Sequence, residues 1–200
     1  MSMTLNPVNE AAFQKAVQSL ETLNRAAVFH PTGTGKSCIA WKVVEAHPQT
    51  TFFWLVAGAQ RLALRQAELT RYNGGTLPGN VRFCDCEKLA AATPEQWVRL
   101  GEQKPGCIVL DCYHELSAVC WAQSVQKLLR MCPQAKVLGL GVPNGAPVCA
   151  AAQELFADCI VSHMTVAEAM AAGTMPVPSA YAALLWPQEE ELATLRARIK

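Results

Sequence analysis

Short runs of apolar residues alternate with amphipathic stretches along this 200-residue chain. The runs are AAVF (26–29), TTFFWLVA (50–57), VRFCDC (81–86), CIVLDC (107–112) and KVLGLGV (136–142). Several are apolar at consecutive positions, the pattern of strands covered on both faces. Between them, Phe13, Val17, Leu20 and Leu23 recur at three- and four-residue spacing, as do Trp121, Val125 and Leu128. That spacing lines one face of a helix, and Pro133 stops the second pattern because proline cannot continue a helix for long. Helix starts are marked in the same way. Thr93 can cap, Pro94 suits the first helical position and Gln96 completes a capping box; Thr165 and Glu168 form another box, with Gly173 as its stop. The alternation predicts an α/β fold, a mainly parallel sheet flanked by helices on both faces. Residues 1–186 read as one domain, and 187–200 (PQEEELATLRARIK) as a charged helix or linker with a thin apolar stripe.

Composition narrows the class. Hydrophobic residues make up 51% and charged residues 16%, which predicts a compact core and excludes disorder. A formal net charge of +1 provides no global field for nucleic acid, so any such contact has to come from a local patch. Nine cysteines contain no CxxC pair. Cys84 and Cys86 would share a face of their predicted strand, but no second pair or histidine supports zinc. Buried, reduced thiols of a cytosolic protein are the better expectation. The opening MSMTLNPVNE lacks the charged-then-apolar order of a signal peptide. The apolar runs fall short of the roughly 18 residues that a membrane span needs. The expected location is the cytoplasm.

One stretch carries chemistry. HPTGTGKS (30–37) follows the strand AAVF and precedes the helical pattern CIAWKVVEAH. Gly33 and Gly35 allow backbone angles that turn the N–H groups of the loop, Thr32 and Thr34 among them, toward phosphate oxygens. Lys36 would neutralise the β- and γ-phosphates, and the Ser37 hydroxyl would ligate Mg²⁺. The following helix offers its positive end to the same anion. The strict pattern GxxxxGK[ST] has glycine where this chain has His30, so a glycine-rich turn with an incidental lysine is the competing explanation. Asp111 closes CIVLD and suits a water-mediated Mg²⁺ contact; the alternative is an aspartate that merely caps a turn.

With HPTGTGKS and VLDCYH both placed, the chain resembles the N-terminal RecA-like lobe of superfamily 2 DEAD/DEAH-box helicases, in the branch related to restriction-enzyme motor subunits. Motif I in that family is often AxxGxGK[ST], which softens the departure at His30. Motif II is DExH: Asp111 and His114 match, and Cys112 stands at the glutamate position. The resemblance continues through AKVLGLGVPNGAP and ELFADCIVSHMTVAEAMAAGTMPVPSAY, and spans roughly Asn9 to Tyr181. It implies a RecA-like P-loop NTPase domain that binds ATP or ADP with Mg²⁺, with Asp111 and His114 in the catalytic positions.

The departures bear on activity. The motif II glutamate polarises the attacking water, and loss of a general base typically costs about 10²–10⁴ in rate. A cysteine is shorter, and its reference pKa of about 8.5 leaves it mostly neutral near pH 7. Glu115 is the one nearby substitute, three positions beyond. Gly141-Val142-Pro143 stands where motif III has Ser-Ala-Thr, which removes both hydroxyls. At motif Ia, Arg61, Arg65 and Arg71 are either contacts to a nucleic-acid backbone or a solvated helix face. Gln14 and Gln18 both compete for the family's adenine-reading position. The family closes ATP between two lobes, and arginine supplied across such a cleft is worth about 10³–10⁵ in GTPases; the sequence reads as one lobe, which alone could not close that cleft.

Four functions stay open. The first is a single-lobe, helicase-like ATP-binding protein with little or no hydrolysis of its own. The second is an ATPase subunit of a split motor acting on DNA with a partner lobe. A small P-loop kinase is the third, weakened by the lack of an arginine cluster for a lid. The fourth is a scaffold that has lost nucleotide. An apolar lobe face would favour a partner lobe or self-association.

Overall fold

The structure, a computed structural model, describes residues 3–111, 113, 119–143 and 154–177, with only the backbone at 119–121. Cys112, His114, Glu115, the side chain of Trp121 and the segment 187–200 lie outside the described residues.

The first helix, α1 (Pro7–Thr22), begins where Asn6 caps it: the Asn6 side chain accepts from the backbone N–H of Asn9, and Pro7 occupies the first turn. Strand β1 (Arg25–Phe29) follows, then α2 (Lys36–Ala46), β2 (Phe52–Val56), α3 (Ala59–Tyr72) and β3 (Val81–Asp85). Two short helices, α4 (Cys86–Ala90) and α5 (Pro94–Glu102), lead to β4 (Cys107–Asp111). Then come α6 (Val119–Met131), β5 (Lys136–Gly141), a 3₁₀ turn at Ala157–Cys159, β6 (Ile160–His163) and α7 (Val166–Ala171). Both predicted capping boxes form, at Thr93/Gln96 and at Thr165/Glu168.

The six strands form one sheet in the order β3-β2-β4-β5-β1-β6, and every pair is parallel. Two-residue alternation divides the strand side chains between two cores. Val28, Trp54, Val109 and Leu140 pack with Ala16 of α1, Trp41 of α2 and Leu69 of α3. Ala27, Leu55, Ile108 and Val137 pack on the opposite face with Leu89 of α4, Trp97 of α5 and Leu128 of α6. The crossovers from β1 to β2 and β2 to β3 run over the first face, and those from β3 to β4 and β4 to β5 return over the second. Connections leaving in opposite directions open a crevice beyond the carboxyl ends of the strands, the usual ligand position in such sheets.

The structure corrects two details. β3 stops at Asp85, whose side chain accepts from the Glu87 N–H at 3.0 Å and starts α4 at Cys86. Cys84 and Cys86 therefore do not share a strand face. Burial pushes the Cys84, Cys86 and Cys107 thiols up to about 12, so they stay protonated at neutral pH. The second detail is β6, a strand beyond the five predicted, which pairs with β1 at the sheet edge.

Glycine in β5 has a packing reason. A Cβ on Gly139 would stand 2.5 Å from the buried Phe156 ring, and one on Gly141 would collide with the ring of Phe29. Gly141 thereby leaves room for Phe29, the last residue of β1.

Candidate functional site

The loop between β1 and α2 is built as its glycines require. Gly33 and Gly35 have φ of +88° and +90°, the left-handed region that favours glycine. Gly35 is also closed to a side chain, since a Cβ there would stand 2.8 Å from Asn9 Nδ2. The Thr34 hydroxyl donates to the Pro31 carbonyl at 2.8 Å, which tightens the turn from inside. Thr32 and Gly33 are exposed at the tip, Thr34 is buried, and Gly35, Lys36 and Ser37 are half-buried. Lys36 opens α2 and folds back over the loop: its ammonium donates to the carbonyls of His30 and Pro31, each at 2.8 Å. A cation is thereby held at the head of a helix, inside a ring of backbone groups, where a helix already favours an anion.

Two residues beneath the loop were not singled out by sequence reasoning. Asn9, in the first turn of α1 and 3% exposed, donates from Nδ2 to the Thr34 carbonyl at 2.8 Å. Its Oδ1 is buried with no hydrogen-bond partner. A buried amide oxygen without a donor is costly, and this one lies against the loop. Ser162 on β6 is the second, joined to His30 Nε2 at 2.8 Å.

His30 is fully buried, and its Nδ1 has no partner. Burial first, then the charges of Lys36 and His163, lowers its pKa from 6.5 to about 4. The ring is therefore neutral at pH 7. It ties β1 to β6 at the position where the strict motif has glycine. The stability consequence has a definite sign. The unfolded chain takes up a proton below about 6.5 while the folded chain resists until about 4, so stability present above 6.5 is lost as pH falls through that window. The loss should reach on the order of 3 kcal/mol by pH 4. Denaturant titrations of the unaltered chain and of His30→Gln between pH 7 and 4 check this; the variant should show a shallower acid slope, and identical slopes would assign the loss to other groups.

Asp111 lies at the end of β4, in register with Leu140, and Phe29 is in register with Gly141. With β5 between them, the backbones of β1 and β4 end roughly 10 Å apart, two strand spacings of about 4.8 Å. Loop and aspartate thus lie at the same, carboxyl-terminal edge of the sheet. The aspartate is 2% exposed. Its Oδ2 accepts from the Trp54 indole N–H at 3.1 Å and from Arg65 Nε at 2.6 Å. Arg65 also pairs with Glu68, one turn along α3. Burial opposes the Arg65 charge, but Asp111 and Glu68 outweigh it and hold the guanidinium above its ordinary pKa.

Arg65 therefore turns inward to the carboxylate that the sequence assigned to Mg²⁺, while Arg61, one turn earlier, stays exposed. Nucleotide phosphates fit the loop, with its left-handed glycines, the inward ammonium and the helix end. Mg²⁺ finds Ser37 near the loop but an Asp111 already engaged by a cation. Among the described residues, no group of three or more His, Cys, Asp or Glu side chains could hold a metal ion.

No protein-family model matches the sequence, and no curated protein does. Solved structures do resemble the fold. A hypothetical ATP-dependent RNA helicase from Sulfolobus tokodaii superposes with a TM-score of 0.55 at 11% identity, over 77% of this chain. The ATP-dependent Type ISP restriction-modification enzyme LlaBIII, solved bound to DNA, superposes with a TM-score of 0.59 at 13% identity, over 86% of this chain. In fold, the chain is similar to RecA-like, P-loop NTPase domains. It spans 51% of the helicase chain and 16% of the restriction enzyme, and at these identities the likeness is one of fold alone. No helix among the described residues is long and apolar enough to cross a membrane.

Proposed function

We propose that this chain is a helicase-like nucleotide-binding domain that holds ATP or ADP at residues 32–37 and, by itself, hydrolyses it poorly or not at all. The observation that carries this reading is the Lys36 ammonium, held at 2.8 Å from two carbonyls of a loop whose Gly33 and Gly35 are left-handed. An arriving polyphosphate would find N–H donors, a helix end and a cation already arranged, so little ordering cost falls on binding. Poor turnover rests on two features. Cys112 occupies the position of the water-activating glutamate, and Asp111 spends its charge on Arg65. Arg61, exposed on α3, is the better of the two arginines for a contact to a DNA backbone, since Arg65 is turned inward.

Turnover is checked by phosphate release. The purified chain at millimolar ATP should release phosphate at background rate, with or without DNA, and Cys112→Glu should raise the rate only slightly. Vigorous DNA-stimulated release by the chain alone would overturn the non-hydrolysing reading and favour an active motor ATPase.

A further inference from the structure

The carboxylate at the same sheet edge as the loop already has a counter-cation, and that cation belongs to the chain. We infer that Arg65 neutralises Asp111 in place of Mg²⁺, so that nucleotide binds with little dependence on divalent metal. This rests on the nucleotide-binding reading above and deepens it.

The geometry is specific. Trp54 and Val109 lie in one core, the one that α3 covers, and by strand alternation Asp111 shares the face of Val109. Arg65 reaches it from α3, and Nε donates at 2.6 Å to the same Oδ2 that takes the Trp54 indole N–H at 3.1 Å. One carboxylate oxygen has two lone-pair sites, so Oδ2 is filled. Trp54 is fully buried and packs against Phe83, with ring centroids 6.0 Å apart, so the aspartate is held by a rigid neighbour. Glu68 holds Arg65 from the other side.

The chemistry follows from charge. Where a carboxylate and a polyphosphate share a site, they repel, and Mg²⁺ relieves the repulsion by bridging them through its waters. Here a guanidinium, which does not lose its proton in proteins, has relieved it in advance. A dication brought to Asp111 would meet that positive charge in a buried place where screening by solvent is weak. A nucleotide approaching Lys36 meets a carboxylate already paired with a cation instead of a bare one; the second carboxylate on Arg65, Glu68, is nearly half exposed and screened by solvent. Metal can still accompany the phosphates through Ser37, but affinity no longer depends on it.

Calorimetric titration of the full chain with ATP, once with excess Mg²⁺ and once with EDTA, tests this. The two dissociation constants should agree within about threefold, and Arg65→Gln, which keeps a hydrogen-bonding side chain but no charge, should separate them by more than that. Arg65→Lys, which keeps the charge, should leave them together. A wild-type ratio above about threefold, or an Arg65→Gln ratio that stays below it, overturns the inference. Should Arg65→Gln fail to fold by circular dichroism, the wild-type ratio decides alone. Binding that requires Mg²⁺ removes only the role given to Arg65. Absence of binding in both buffers removes the nucleotide-binding reading as well, so the two failures are distinguishable.

Discussion

Lys36→Ala cuts to less than half the rise in melting temperature that millimolar ATP or ADP gives the unaltered chain. The ammonium sits between the carbonyls of His30 and Pro31, at 2.8 Å from each, at the mouth of the loop. Alanine preserves the first turn of α2, since it is the strongest helix former, but leaves no cation to meet the phosphates. Truncating one partner of a desolvated charge pair costs at least about 2 kcal/mol, or about 30-fold in affinity. A ligand at 100 times its dissociation constant stabilises a protein by about 2.7 kcal/mol, and a 30-fold weaker complex keeps less than half of that. Lys36 is half-buried at a helix start, so the nucleotide-free variant should melt within a few degrees of the parent. A thermal-shift series across nucleotide concentrations checks both statements, and an unchanged shift in the variant would remove Lys36 from the site.

Trp54→Ala should destabilise the chain more than any change in the loop. Trp54 lies in the middle of β2, fully buried, between β3 and β4. Truncating a buried tryptophan or phenylalanine to alanine costs about 3–5 kcal/mol, which for a chain of this size lowers the melting temperature by roughly 6–20 °C. The indole also donates to Asp111 at 3.1 Å, so the packing loss comes with a loss at the site. Trp54→Phe separates the two. It keeps an aromatic ring in the core but cannot donate to the carboxylate, a bond worth about 1.5–3 kcal/mol when the acceptor is charged. Denaturant unfolding of both variants measures the difference. A cost below about 1 kcal/mol for Trp54→Ala would show that this part of the sheet is not packed as described.

The sheet was legible where burial is two-sided. AAVF, TTFFWLVA, VRFCDC, CIVLDC and KVLGLGV lie on the five strands β1 to β5, with no end more than two residues off. β1, β2, β4 and β5, buried along almost their whole length, show this as consecutive apolar positions, whereas the edge strand β3 has Arg82 exposed and interrupts the run. The sixth strand gives no such signal. Ile160–His163 is four residues long, borders the sheet on one side only, and ends in Ser162 and His163. Its pairing with β1 comes from a register set far away in sequence.

The site divides in the same manner. The loop was legible because glycine spacing, lysine and helix are local. Its supports are not. Asn9 reaches Thr34 across 25 residues, Arg65 reaches Asp111 across 46, and His30 reaches Ser162 across 132. An arginine on an amphipathic helix with exposed neighbours reads as a contact to phosphodiester or as a solvated face. Only the packing of α3 over β2 and β3 turns it toward a carboxylate.

Calorimetric titration of the unaltered chain with ATP is the most direct test that residues 30–37 form a nucleotide site. A saturable, one-to-one isotherm whose affinity falls at least about 30-fold in Lys36→Ala is the result expected. A flat isotherm at millimolar ATP, from protein that is folded by circular dichroism, would contradict it.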